Sequence, residues 1–126
     1  MSRVLIMDDN VIIRNAAGRG LSRLGYEVQY ASNGEEAIAL YTQAKESQCA
    51  FDVVIMDLAI QGGMGGKETI AQLRRIDTHV KAIVSSGYAH DPAVLEYEKH
   101  GFHGVLAKPY NMKDLAAALR KVLGET

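Results

Sequence analysis

Residues 53 to 69, VVIMDLAIQGGMGGKET, offer two ways of handling a phosphate group. A glycine-rich loop ending in lysine could cradle it through backbone N–H groups, or Asp57 could carry it covalently. The cradle needs the pattern G-x-x-x-x-G-K-[ST], with a hydroxyl for magnesium after the lysine. Gln61 stands where the first glycine belongs, and Glu68, an anion that would repel the ligand, stands where the hydroxyl belongs. Asp57 therefore remains as the candidate, and the residues able to assist it lie after other apolar runs. Asp8 and Asp9 end the first run, Ser85, Ser86 and Gly87 close the fourth, and Lys108 and Pro109 follow the fifth.

Each of these has a simpler role when taken singly. Asp8 or Asp9 could cap a helix, Ser86-Gly87 could be a turn, and Lys108 could be a solvated surface lysine. Those roles leave the set unexplained. Three aspartates crowded together repel one another, and such a cluster is tolerable mainly where a divalent cation or a lysine offsets it. Magnesium suits the set, because it prefers hard oxygen ligands and is usually held by one or two carboxylates plus phosphate oxygens. A central carboxylate can then attack a phosphoryl group and form an acyl phosphate, while metal and lysine neutralise the outer oxygens.

The elements that must position these residues show in the hydropathy pattern. Short apolar runs recur at 3–7, 27–31, 51–56, 80–85 and 104–107, and most lack strict alternation, as strands buried on both faces should. Helical patterns lie between them. Ile13, Ala17, Leu21 and Leu24 form one stripe, with Gly25 as a stop signal. Ser32 and Glu35 have the spacing of a capping box ahead of Ala37, Tyr41 and Ala44. A third segment, 67–76, carries Ile70 and Leu73, and Asp91-Pro92 predicts the start of a short helix reaching Lys99. Asn111 is the expected cap of the last helix, with Leu115, Leu119 and Val122 on its apolar face and Gly124 beyond. Five strand–helix units predict an α/β fold with a parallel sheet and helices on both faces. In such sheets the functional crevice lies beyond the carboxyl ends of the strands, where Asp8, Asp9, Asp57, Ser85, Ser86 and Lys108 would converge.

Bulk properties remove several classes of function. The 126 residues suit one domain, 1–126, with a single core system. With 14 basic and 15 acidic side chains the net charge is -1, and the aromatic residues are few and scattered, so no nucleic-acid partner is expected. VLIM at 4–7 is too short for a signal peptide or membrane span, so this chain itself is expected to leave the membrane alone. Cys49, the single cysteine, fits a reducing, cytoplasmic compartment and is expected to be a small half-buried hydrophobe. His100 and His103 are separated by Gly101 and lack a third ligand at suitable spacing, so they read as a surface pair.

With those residues in view, the chain resembles a receiver domain of two-component signalling from Arg3 to Leu123. MDDN resembles the family's acidic pair, VVIMDL its phosphoacceptor strand, VSSG its hydroxyl switch and AKPY its lysine–proline. The narrower features, the glycine loop and AIVSSGYAHDP, are similar to receivers of hybrid sensor histidine kinases. The resemblance implies a (βα)5 flavodoxin-like three-layer sandwich with strand order 2-1-3-4-5, an order that the hydropathy pattern by itself leaves open. It implies that Asp57 accepts the phosphoryl group and that Asp9 and the Ala59 carbonyl bind Mg2+ directly. Asp8 would act mostly through water, Ser86 would be the switch hydroxyl and Lys108 would pair with a phosphoryl oxygen. It further implies a cis Lys108-Pro109 bond, and a histidine kinase or histidine phosphotransfer protein as the donor partner. GGMGG would shape the neighbouring loop. Two positions depart from the family pattern: Gln61 replaces a common proline, and Val105 stands where an aromatic is frequent. No effector domain is expected after Leu123, so output would pass through protein contacts or a parent chain.

Three rival readings carry their own requirements. A magnesium-dependent aspartyl phosphatase of the haloacid-dehalogenase type needs a second aspartate two residues after the nucleophile, where this chain has Ala59. A flavin-binding flavodoxin-like protein needs a hydroxyl-rich loop after the first strand, where Asp8 and Asp9 stand. A pseudo-receiver that only docks has no need of the full acidic, hydroxyl and lysine set. The expected role is thus a phosphoacceptor domain with at most slow self-catalysed phosphorylation and dephosphorylation, rather than an enzyme.

Overall fold

The computed structural model describes residues 2–124. Strands and helices alternate: β1 (Arg3–Met7), α1 (Val11–Arg23), β2 (Glu27–Ala31), α2 (Gly34–Glu46), β3 (Val53–Asp57), α3 (Gly66–Ile76), β4 (Ala82–Ser86), α4 (Pro92–Leu95), β5 (Gly104–Ala107) and α5 (Met112–Leu123). The strands form one sheet in the order β2-β1-β3-β4-β5, and every neighbouring pair is parallel. This is the expected flavodoxin-like arrangement.

Alternation along each strand divides the core in two. Val4, Ile6, Val53, Ile55, Ile83 and Leu106 pack with Ala17 and Leu21 of α1 and with Leu115 and Leu119 of α5. Leu5, Met7, Val54, Met56, Ala82 and Val84 pack on the other face with Ala37 and Tyr41 of α2, Ile70 and Leu73 of α3, and Phe102. β3 and β4 are buried along their whole length and β1 from Val4 onward, whereas β2, at the sheet edge, is mostly exposed.

Several local expectations require correction. β3 and β4 start two residues later and end one residue later than their apolar runs suggested, so Asp57 and Ser86 are the last residues of their strands. α1 is capped by Asn10, whose Oδ1 accepts the Ile13 N–H, which frees Asp8 and Asp9 from that task. Leu24 is 56 % exposed rather than part of the stripe. The helix stops at Arg23, and Gly25 at φ 98 lets Tyr26 N–H bond back to the Leu21 carbonyl, so Leu24 is left outside.

The α2 cap is Asn33, one residue beyond Ser32. Its Oδ1 accepts the Glu36 N–H, and the Glu36 carboxylate takes the Ser32 N–H at 2.9 Å. Cys49 is exposed, not half-buried. Just beyond α2, Gln48 takes φ 61 and Cys49 N–H bonds back to the Ala44 carbonyl. Only Ala93 is buried within α4, too little to sustain the longer helix expected to reach Lys99. After Leu95 the chain continues as turns, with Lys99, His100 and Gly101 N–H groups each bonding to the carbonyl three residues back.

Candidate functional site

β1 and β3 are adjacent, so their carboxyl ends place Asp8 beside Asp57, and the β4–β5 pairing brings the end of β5 alongside. The Lys108-Pro109 bond that follows β5 is cis. Lys108 Nζ donates to Asp8 Oδ2 at 2.8 Å and to Asp57 Oδ2 at 2.9 Å, so one ammonium bridges two carboxylates. Asp8 Oδ1 accepts the Asn10 N–H at 2.9 Å, and Asp57 Oδ1 faces the Ala59 N–H at 3.4 Å. Asp9 is exposed, and its Oδ2 lies 3.4 Å from the Gln61 nitrogen, a donor that proline would lack.

The charges are held against burial. Burial is the main force on Asp57 and raises its pKa above the ordinary carboxylate value; Lys108 opposes that rise and Asp8 adds to it. Burial works against the Lys108 ammonium as well, but its bonds to Asp8 and Asp57 outweigh it and its pKa is raised. Burial also raises the Tyr110 phenol, with a further push from Asp8.

The acidic trio satisfies the fit expected of a hard cation. Asp8, Asp9 and Asp57 each offer an oxygen, and these oxygens all lie within 4.8 Å of one another. Among the described residues this is the one group of three or more His, Cys, Asp or Glu side chains so arranged. Oxygen donors without thiol or imidazole suit magnesium, with water completing its shell. His100 and His103 do not join such a group. His103 Nδ1 instead receives the Ala82 N–H at 3.3 Å, and its imidazole is held below its ordinary pKa by burial first and then by Lys81 and Arg74.

The glycine loop packs on the backbone of the site. A Cβ at Gly66 would stand 2.9 Å from the Asp57 carbonyl oxygen, and one at Gly65 would collide with the Leu58 carbonyl. The loop is also tied to α2, through Met64 N–H to the Glu35 carboxylate and Gly34 N–H to the Met64 carbonyl. The Ser86 carbonyl accepts the Lys108 N–H at 2.9 Å, and the Ser86 hydroxyl takes no part in the lysine bridge. Ser86 Oγ accepts the Tyr88 N–H at 2.9 Å, which leaves its own O–H free to donate.

The family model of the response regulator receiver domain matches residues 4–120. The chain belongs to the response regulator receiver domain family. Chemotaxis protein CheY of Thermotoga maritima is 34 % identical over 121 residues, which cover 95 % of this chain and 96 % of that protein. Sensor kinase CckA of Brucella abortus is 30 % identical over 120 residues, covering 95 % of this chain but 12 % of the kinase. The crystal structure of response regulator protein TrrA from Thermotoga maritima, in complex with Mg(2+)-BeF, matches with a TM-score of 0.81 and 28 % identity, covering 98 % of this receiver and all of that chain. The likeness thus extends to a small chemotaxis protein and to part of a sensor kinase. Neither the phosphatase nor the flavin reading gains any support.

Two features of the receiver site escaped the sequence. Arg14 donates from Nη1 to the Asp8 carbonyl at 3.4 Å and to Ser32 Oγ at 3.0 Å, joining the ends of β1 and β2. Nothing in the linear pattern distinguishes it from a solvated arginine. Val11 and Ile12, which lie outside the expected α1 stripe, are 53 % and 81 % exposed at the start of α1. Ser85 is buried and its Oγ has no hydrogen-bonding partner among the described residues.

Proposed function

We propose that residues 1–126 act as one receiver unit that takes a phosphoryl group onto Asp57 from a phosphohistidine of a histidine kinase or histidine phosphotransfer protein. The Lys108 ammonium bridging Asp8 and Asp57, with the Asp9 carboxylate alongside, carries this reading. Asp57 Oδ attacks phosphorus, the P–N bond of the donor breaks, and its electron pair returns to the imidazole nitrogen. Asp8, Asp9 and Asp57, with the Ala59 carbonyl, would hold Mg2+, which when bound supplies positive charge to the phosphoryl oxygens. TrrA, solved with magnesium and a beryllium fluoride, supports that assignment. Lys108 pairs with a phosphoryl oxygen, and the free O–H of Ser86 donates to another. The domain is consumed and regenerated as a phosphoacceptor and turns over no separate substrate.

The donor partner has a surface to meet. A groove of about 360 Å³ runs between Ile12, Ile13 and Ala16 of α1 and Tyr110 and Met112 at the start of α5. It borders the acidic pocket and suits an apolar-faced helix presenting a histidine. No helix among the described residues is long and apolar enough to cross a membrane. The exposed thiol of Cys49 suits a reducing compartment, and the cytoplasm is where this reading places the meeting with the donor.

Incubation with magnesium and acetyl phosphate, followed by intact mass, tests the reading. A gain of one phosphoryl group that is lost with chelator and in Asp57→Asn is expected. No gain, or equal gain in Asp57→Asn, would overturn it.

A further inference from the structure

The loop of residues 58–65 that joins β3 to α3 includes Ala59 and has little shape of its own. Gly62, Gly63 and Gly65 widen the range of conformations open to its backbone, and Gly62 sits at φ 72. Its order therefore comes from tethers outside it. Gln61 N–H donates to Asp9 Oδ2 at 3.4 Å, and Met64 N–H donates to Glu35 Oε1 at 2.9 Å. Gly34 N–H donates to the Met64 carbonyl at 2.8 Å, and the Met64 side chain packs on Gly34, where a Cβ would stand 2.7 Å from its Cγ. Of the two tethering carboxylates, Asp9 belongs to the acidic trio and Glu35 does not. Glu35 and Glu36 share the first turn of α2, but Glu36 turns back to the Ser32 N–H whereas Glu35 reaches out to the loop.

We infer that Glu35 is a positioning residue for the magnesium site, acting through the Met64 N–H on the loop that carries Ala59. This rests on the reading of Asp9 and the Ala59 carbonyl as magnesium ligands. A cation bound to the Asp9 carboxylate draws electron density from the group that accepts the Gln61 N–H, so that tether weakens just when the loop must stay in place. The tether at Met64 is independent of the metal, and its carboxylate acceptor makes it charge-assisted. Glu35 thus keeps the loop in its metal-competent form. Without it a cation must first order a glycine-rich segment, and the apparent affinity falls with the fraction of molecules already ordered.

Calorimetric titration with magnesium alone reads the effect. Glu35→Ala should bind magnesium about three- to tenfold more weakly than wild type, the net weight of one hydrogen bond. Glu35→Gln keeps an acceptor oxygen without the charge and should stay within about twofold of wild type, which tells lost positioning from lost charge. Hydrogen exchange at the Met64 amide should be faster in Glu35→Ala. In phosphorylation by acetyl phosphate, the half-saturating magnesium concentration should rise by the same factor while the limiting rate at saturating magnesium stays unchanged. Glu36→Ala controls for a general effect on the fold: it loses the bond to the Ser32 N–H and should lower the melting temperature while leaving magnesium affinity alone. Equal magnesium affinity in wild type and Glu35→Ala would overturn the inference, as would equal weakening by Glu35→Gln or by Glu36→Ala. If wild-type protein itself takes up no magnesium, the reading of the acidic trio fails and the inference falls with it.

Discussion

Asp57 holds its charge at the expense of the fold, and that sets a testable pH dependence. Its folded pKa lies above the unfolded value because burial outweighs Lys108. The folded state therefore binds the proton more tightly, so this carboxyl favours folding at low pH and loses that contribution as pH rises through the folded pKa. In magnesium-free buffer Asp57→Asn should melt a few degrees above wild type at pH 7, and the gap should close near pH 3. A wild-type melting temperature above that of Asp57→Asn at pH 7 would mean that Lys108 outweighs burial after all. Added magnesium should raise wild type more than the variant, since a ligand stabilises the state that binds it. The aspartates were legible because three acids and a lysine at strand ends have no common bland explanation. Both serines were legible as rim residues, but only the strand register pairs Ser85 with Asp57.

Among the elements, α3 is the one whose placement touches the site most closely. Gly66 opens the helix, and any Cβ there meets the Asp57 carbonyl and the Leu58 Cα, backbone atoms that cannot swing aside. Gly66→Ala should push α3 from the end of β3 and destabilise the domain by roughly 1–3 kcal/mol in urea titration. Gly87→Ala, where nothing lies within 4 Å, should leave stability near wild type. Equal effects of the two would show that the loop yields. Helix starts were legible where a side-chain cap stands alone, as at Asn111 and Asp91. They were ambiguous at Ser32-Asn33, where two capping residues adjoin and Glu36 rather than Glu35 reaches back. Glu35 is instead spent on the glycine loop, a tertiary contact with no local signature.

For the molecule as a whole, the site exists because three strand ends meet. Asp8 and Lys108 are 100 positions apart, yet share a 2.8 Å hydrogen bond. Alternation of strands and helices made the parallel sheet legible, but the order of strands entered through resemblance, since periodicity cannot choose among permutations. The exposed Ile12 likewise became meaningful only when α1 was placed beside the start of α5, where it lines a groove with Tyr110 and Met112. The most direct measurement is chemical location of the phosphoryl group. Protein phosphorylated with acetyl phosphate and magnesium is treated with borohydride, which reduces an acyl phosphate to the alcohol and converts aspartate to homoserine. Peptide mass spectrometry should find homoserine at position 57 alone. Homoserine at Asp8 or Asp9, or a borohydride-resistant phosphate on Ser85 or Ser86, would contradict the phosphoacceptor assignment.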